Sequence, residues 1–318
     1  MKTYTSLLLI LFLTLFSGRV AGQPCTITRT ITGPASACAG STGNVYTTES
    51  GMTEYSWSVS EGGSITSGSG TNEITVTWSS AGAKTVSVNY KDTDNCTESS
   101  PAVKDVTVNA LPVPTITGSA SVCEGTTGVT YTTESGMSDY SWNISAGGTI
   151  TDGSGTNVIT VTWNSAGAQT VSVNYKNANN CTASDPTIKD VTVNPVLAVS
   201  VSIVASANPV CAGTSVTFTA TPVNGGTPTY QWYKNSNPAG TNSSTYADTP
   251  VNGDQVYVIM TSSETCKSGS PAISNTIILT VKAEPAITGQ PSSQIRCPGV
   301  SVSFSVTATG DGLTYQWK

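Results

Sequence analysis

Residues 53–90 read TEYSWSVSEGGSITSGSGTNEITVTWSSAGAKTVSVNY, and residues 138–175 repeat them as SDYSWNISAGGTITDGSGTNVITVTWNSAGAQTVSVNY. The step is constant, since Trp142 follows Trp57 by 85 residues and Trp163 follows Trp78 by 85. No gap is needed across the unit, and roughly 70% of its positions are identical. Within it, Tyr55, Trp57 and Val59 alternate with Ser56 and Ser58, and Ile74, Val76 and Trp78 alternate with Thr75 and Thr77. Val86, Val88 and Tyr90 alternate with Ser87 and Asn89. A period of two puts one set on one face, so each run predicts a strand with a buried side and a wet side. Glu61-Gly62-Gly63, Gly68-Ser69-Gly70 and Ser80-Ala81-Gly82 lie between the runs as turn signals. Short strands at this spacing, with no sustained helical period, predict an all-β fold built of sandwiches. The in-phase aromatics Tyr55, Trp57, Trp78 and Tyr90 are expected in the core, not on a ligand platform.

The flanks set the boundaries. Residues 1–22 read as a signal peptide, with Lys2 before the apolar run 7–16 and small residues Val20-Ala21-Gly22 before a cut at Gln23. Cys25 follows Pro24 and so lacks the small residue that lipid attachment needs. No later stretch is apolar enough to span a bilayer, so the remainder is expected to be exported, without membrane insertion after signal cleavage. The repeats are expected at 31–109 and 116–194, joined by the stiff Ala110-Leu111-Pro112-Val113-Pro114.

These repeats resemble the PKD-like domains of bacterial surface and secreted proteins, especially those of Bacteroidota. The resemblance rests on Tyr55-x-Trp57, Gly62-Gly63, Thr71-Asn72-x-Ile74-Thr75-Val76-x-Trp78 and Val86-x-Val88-x-Tyr90 with Asn95-Cys96. The second set runs from Tyr140-x-Trp142 to Asn180-Cys181. Residues 57–62, Trp-Ser-Val-Ser-Glu-Gly, depart from the Trp-Asp-Phe-Gly-Asp-Gly of the central PKD family. Residues 199–281 are similar to a bacterial immunoglobulin-like domain, with Trp232 at the core Trp position, an alternating strand at 215–220 and a last strand at 276–281. A fourth copy opens within 284–318, with Cys297-Pro298-Gly299, Val302-x-Phe304-x-Val306 and Tyr315-Gln316-Trp317, and is read as truncated at Lys318. Together these imply tandem immunoglobulin-like and PKD-like sandwiches in a linear array.

Chemistry is sparse. The chain holds no histidine, which removes His-based triads and metal sites. It carries a net charge of −6 with no Lys/Arg cluster, which argues against nucleic acid and anionic membrane as partners. No cofactor or metal is expected. The densest acidic run, Asp92-Thr93-Asp94-Asn95, suggests half a calcium loop, but its counterpart Asn177-Ala178-Asn179-Asn180 has lost both carboxylates, so a solvated turn is expected. Tyr233 lies out of phase with Tyr230 and Trp232 and heads a loop at 235–244, which makes it a candidate ligand surface.

The cysteines Cys25, Cys38, Cys96, Cys123, Cys181, Cys211, Cys266 and Cys297 read as disulfide formers in an exported chain. Pairing within domains gives Cys38–Cys96, Cys123–Cys181 and Cys211–Cys266. The immunoglobulin-like strand order that the resemblance implies sends the second and sixth strands the same way. It thereby puts those partners at opposite poles, ~20 Å apart along a strand of about six residues. A disulfide spans only about 4.4–6.8 Å between Cα atoms. That order implies a relay instead: Cys25–Cys96, Cys38–Cys181 and Cys123–Cys266, with Cys211 and Cys297 reaching beyond Lys318. Cysteine spacing does not choose between the two schemes. The expected role is that of a non-catalytic secreted or cell-surface stalk or adhesin-type array, with an extracellular glycan or protein as partner. The alternative is the accessory region of a large secreted hydrolase whose catalytic domain lies beyond residue 318.

Overall fold

The computed structural model describes residues 28–318, and every regular element it assigns there is a β-strand. The first repeat contributes β1 (Ser36–Cys38), β2 (Asn44–Thr47), β3 (Thr53–Val59), β4 (Gly63–Ser67), β5 (Glu73–Trp78), β6 (Gly82–Lys91) and β7 (Ala102–Asn109). They form two sheets, β1-β7-β6-β3 and β2-β5-β4. The alternation read from the sequence decides which residues lie between them. Ile74, Val76, Trp78, Val86, Val88 and Tyr90 are buried, with Tyr46, Trp57, Val106 and Val108. Tyr55 packs half-buried against that cluster.

The second repeat has β8 (Thr117–Gly118), β9 (Ser121–Cys123), β10 (Val129–Thr132), β11 (Ser138–Ile144), β12 (Gly148–Asp152), β13 (Val158–Trp163), β14 (Gly167–Lys176) and β15 (Thr187–Asn194). Its sheets are β11-β14-β15-β9 and β12-β13-β10-β8. Tyr131, Ile159, Val161, Trp163, Val171, Val173 and Tyr175 are buried, each 85 residues after its counterpart in the first repeat.

The third sandwich is assembled from β16 (Leu197–Ala198), β17 (Ser200–Ala205), β18 (Val210–Cys211), β19 (Val216–Val223), β20 (Thr229–Lys234), β21 (Asn237–Ala239), β22 (Thr245–Asp248), β23 (Gln255–Thr261), β24 (Lys267–Ser268), β25 (Ala272–Ile273), β26 (Ile277–Ile278) and β27 (Val281–Lys282). Sheet β17-β19-β22 faces sheet β21-β20-β23-β25, with β26 also on β23, across a core centred on Trp232, Phe218, Met260 and Leu279. Two local expectations fail here. The expected loop at 235–244 instead turns at once into β21. Asn235 and Ser236 adopt φ of 52° and 65°, the left-handed pair that a two-residue hairpin turn requires, and Lys234 pairs with Asn237. The expected last strand at 276–281 is split. Leu279 leaves the ladder to bury its side chain, and its backbone exchanges hydrogen bonds with the 253–254 turn, donating to Asp254 O (2.8 Å) and accepting from Gly253 N (2.8 Å).

The end of the chain carries only β28 (Ala286–Gly289) and β29 (Thr307–Thr309), paired antiparallel. Val302-x-Phe304, expected in a strand, forms no ladder, and Phe304 is 52% exposed because no second sheet covers it. Trp317 is 60% exposed, in contrast to the fully buried Trp232 of the preceding sandwich.

By backbone proximity the chain forms two compact units. The first comprises the described residues up to Ser119 with Gly128–Thr162 and Thr170–Asp190. The second comprises Ala120–Thr127, Trp163–Gln169 and Val191–Lys318.

Candidate functional site

The cysteines are positioned by strand direction. In the first repeat β1 runs parallel to β7 and sets Cys38 opposite Asn109, and β7 runs antiparallel to β6 with Val108 opposite Gly82. Cys38 therefore sits at the start of β6, whereas Cys96 follows its end at Lys91. Ten strand residues separate the two poles, which at about 3.3 Å per residue is ~30 Å. No disulfide spans that distance. The structure instead pairs Cys38 with Cys181 at a Cα–Cα distance of 5.6 Å and Cys123 with Cys266 at 5.4 Å, both with a sequence separation of 143. The first crosslink lies inside the first unit and the second inside the second. The within-domain pairs Cys38–Cys96, Cys123–Cys181 and Cys211–Cys266 are thus replaced by bonds from each sandwich to the next. Cys96 is itself disulfide-bonded. The expected Cys25–Cys96 bond involves Cys25, which lies outside the described residues, as does the expected signal peptide at 1–22. Cys211 and Cys297 carry exposed free thiols.

Further bonds hold the connecting segment after the first repeat. Asn177 Nδ2 donates to Ala110 O (3.3 Å), and Thr187 Oγ1 donates to Pro114 O (2.6 Å). The Thr115 backbone N–H and hydroxyl donate to the two carboxylate oxygens of Glu134, at 3.1 and 2.5 Å. The chain entering the third sandwich is held too. Leu197 N donates to Cys266 O (3.0 Å), and β16 pairs in parallel with β24.

Glu134 belongs to a constellation that the sequence reading missed. Its equivalent Glu49 accepts from Thr30 N (3.0 Å), Thr30 Oγ1 (2.5 Å), Thr48 Oγ1 (2.6 Å) and the Tyr90 hydroxyl (2.7 Å). Tyr175 donates to Glu134 in the same way at 3.0 Å. Arg29 completes the first site, with its guanidinium 4.9 Å from the Tyr90 ring centroid and Nη2 donating to Tyr90 O at 3.0 Å. Burial alone would raise the Glu49 carboxyl, but the hydroxyls of Thr30, Thr48 and Tyr90 outweigh it and bring it down to about 2. Glu134 is likewise brought to about 2 by Thr115 and Thr133 against burial. Burial, then the hydrogen bond to Glu49 and its charge, push Tyr90 up to about 12. The signal was present in the sequence: Glu-Ser-Gly-Met occurs at 49–52 and again at 134–137 in a chain with only 10% charged residues.

A pH dependence follows. A carboxylate depressed from 4.5 to about 2 on folding contributes stability that is fully present above about 4.5 and lost as pH falls through about 2. The expected result is an unfolding free energy that declines across that window in acid titration followed by tryptophan fluorescence. In a Glu49→Gln/Glu134→Gln variant the decline should be shallower and the starting stability at pH 7 lower. An unchanged slope would contradict the assignment.

The run at residues 92–95 is a turn. Asp92 Oδ1 accepts the backbone N–H groups of Asp94 (3.0 Å) and Cys96 (2.9 Å), and Asn177 Oδ1 does the same for Asn179 and Cys181 at 3.0 Å each. Either side chain supplies the acceptor, which explains the exchange of Asp for Asn between the repeats.

Tyr233 stacks on Tyr257 across β20 and β23, with centroids 5.0 Å apart and planes at 6°. Both are half-buried on the outward face, which continues through Ile259 to the exposed Ile273. Beneath them Lys234 bridges Asp248 (2.5 Å) and the buried Asp254 (2.9 Å), and the two carboxylates hold its ammonium well above the usual lysine range. Asn235 Nδ2 also donates to Asp254 (2.8 Å), so the ion pair fastens the hairpin turn after β20.

A family model described as the PKD-like domain matches residues 24–106 and 109–191. No curated protein matches the chain. Among solved structures the chain is similar to FdeC, described as a broadly conserved Escherichia coli adhesin. That match has 17% identity, covers 83% of this chain and 99% of that one, and has a TM-score of 0.32. An I-band fragment of titin matches at 9% identity over 82% of this chain and 100% of that one, with a TM-score of 0.40. The three N-terminal domains of the bacteriophage RB49 outer capsid protein Hoc match at 15% identity over 80% and 98%, with a TM-score of 0.36.

Proposed function

The chain belongs to the PKD-like domain family, and on that premise we propose that it is a non-catalytic extracellular spacer of stalk or adhesin type, whose sandwiches are locked to one another by disulfides. The observation that carries this reading is the pair of crosslinks at one constant separation, each from the end of a short parallel strand to the segment after β14 or β23 of the following sandwich. A catalytic scaffold gains nothing from repeating such a bond at successive joints, whereas a spacer gains a span that does not fluctuate. The tethered connecting segment at residues 110–115 supports the same role. Disulfides persist in oxidising surroundings, which supports an extracellular location. A glycan or protein partner would meet the outward face carrying Tyr233 and Tyr257, where stacked aromatics offer contact area at little entropic cost.

The test is small-angle X-ray scattering of the purified chain with and without a thiol reductant. Oxidised protein is expected to give a narrow distance distribution that broadens on reduction while the strand signal in circular dichroism persists. Identical distributions in the two states would overturn the spacer reading.

A further inference from the structure

Cys211 occupies the frame that Cys38 and Cys123 occupy in the two sandwiches before it. Each ends a short strand paired in parallel with the last strand of its own sandwich: Cys38 opposite Asn109, Cys123 opposite Asn194, Cys211 opposite Lys282. The residue after each cysteine donates its N–H to that partner's carbonyl, Ala39 at 2.9 Å, Glu124 at 2.8 Å and Ala212 at 2.9 Å. A turn then closes on the cysteine carbonyl from Ser41 (3.0 Å), Thr126 (3.1 Å) and Thr214 (3.2 Å). The turns pass through Gly40, Gly125 and Gly213 at φ of 79°, 79° and 78°, a left-handed conformation that glycine adopts without strain. In the first two frames the sulfur is covalently occupied by a cysteine 143 residues further on. In the third the thiol is exposed and free. Cys297 repeats the turn, with Val300 N donating to its carbonyl at 3.3 Å, but stands in no strand ladder, so of these two free thiols it is Cys211 that has the complete frame.

We infer that Cys211 is the anchoring thiol of a further crosslink, whose partner is a cysteine in a sandwich that follows the third, in the segment corresponding to those after β14 and β23. The bond forms by thiol–disulfide exchange. The two thiols lose two protons, and one electron pair passes to a small-molecule disulfide, which is cleaved to two thiols as the Sγ–Sγ bond closes. The inference rests on the spacer reading for its purpose but not for its test, which reads one covalent bond and not the dimensions of the molecule.

The probe is this chain extended by a duplicate of its own residues 195–282, placed directly after Lys282 and oxidised in a glutathione buffer. In the parent chain Cys211 is expected to take up maleimide without denaturant. In the extended chain its labelling is expected to fall by at least ~tenfold. Non-reducing peptide mapping is expected to find it joined to the duplicate's copy of Cys266. In the extended chain with Cys211→Ser, that copy is expected to become the labelled thiol. A second extension, duplicating residues 110–195 with their copy of Cys181, gives the same readout should the first duplicate fail to fold. Undiminished labelling of Cys211 in both extensions, or its capture by any other cysteine, overturns the inference.

Discussion

A chain carrying Cys38→Ala together with Cys181→Ala is expected to unfold at a much lower urea concentration than the parent. The bond closes a loop with a sequence separation of 143. By the chain-entropy relation, a loop of that length removes about 5 kcal/mol of disorder from the unfolded ensemble, and measured disulfides usually deliver about 2–4. Native-state losses are small by comparison. Cys38 is half-buried at the end of a three-residue strand, and alanine at the buried Cys181 leaves no unpaired polar atom behind. Both cysteines are replaced so that neither remains to exchange with other thiols. Equilibrium urea unfolding followed by tryptophan fluorescence is expected to lose about 2–5 kcal/mol in the unit that contains both cysteines. Cys211→Ala, which removes an exposed free thiol, is expected to stay within about 0.5 kcal/mol. A double variant as stable as the parent would show that the crosslink constrains nothing.

Trp78→Ala is expected to cost about as much within a single sandwich, by a different mechanism. Trp78 is fully buried, stands edge-on to Tyr46 with centroids 6.5 Å apart, and donates Nε1–H to the Tyr46 hydroxyl at 3.2 Å. Gly63 lies opposite it in the ladder, so close that a Cβ there would fall 2.5 Å from the indole ring. Truncation empties this space, which the surrounding strands cannot fill, and removes the donor to a buried hydroxyl. Such substitutions cost about 3–5 kcal/mol. A domain holds only about 5–15 kcal/mol in total, so the first sandwich should lose most of its margin. The contrasting site is Trp317, 60% exposed, where alanine is expected to change little. Thermal unfolding of the two variants side by side measures the difference, and equal effects would contradict the core described here.

Much of this was legible because period-two alternation is a local property. Ile74, Val76 and Trp78 declare their buried face without reference to anything distant, and the same holds 85 residues later. Most of what stayed hidden depends on partners far away in the chain, the turn after β20 being the local exception. The hairpin through Asn235 and Ser236 needs two residues at positive φ, which neither Asn nor Ser advertises as strongly as glycine. Leu279 looks like one more strand residue until the 253–254 turn claims its backbone. Glu49 reads as a solvated acid in a turn, and only the fold brings Thr30 and Tyr90 to it from opposite sides in sequence. The cysteines are the sharpest case. Their spacing fits local pairing and relay equally, and the choice falls to the direction of β1 relative to β6, which spacing does not encode.

The crosslink from one sandwich to the next is the claim on which the rest depends, and non-reducing proteolysis with mass-spectrometric peptide mapping of the oxidised chain tests it directly. Linked peptides containing Cys38 with Cys181 and Cys123 with Cys266 are expected, together with free, alkylatable Cys211. A peptide joining Cys38 to Cys96, or Cys123 to Cys181, would contradict it.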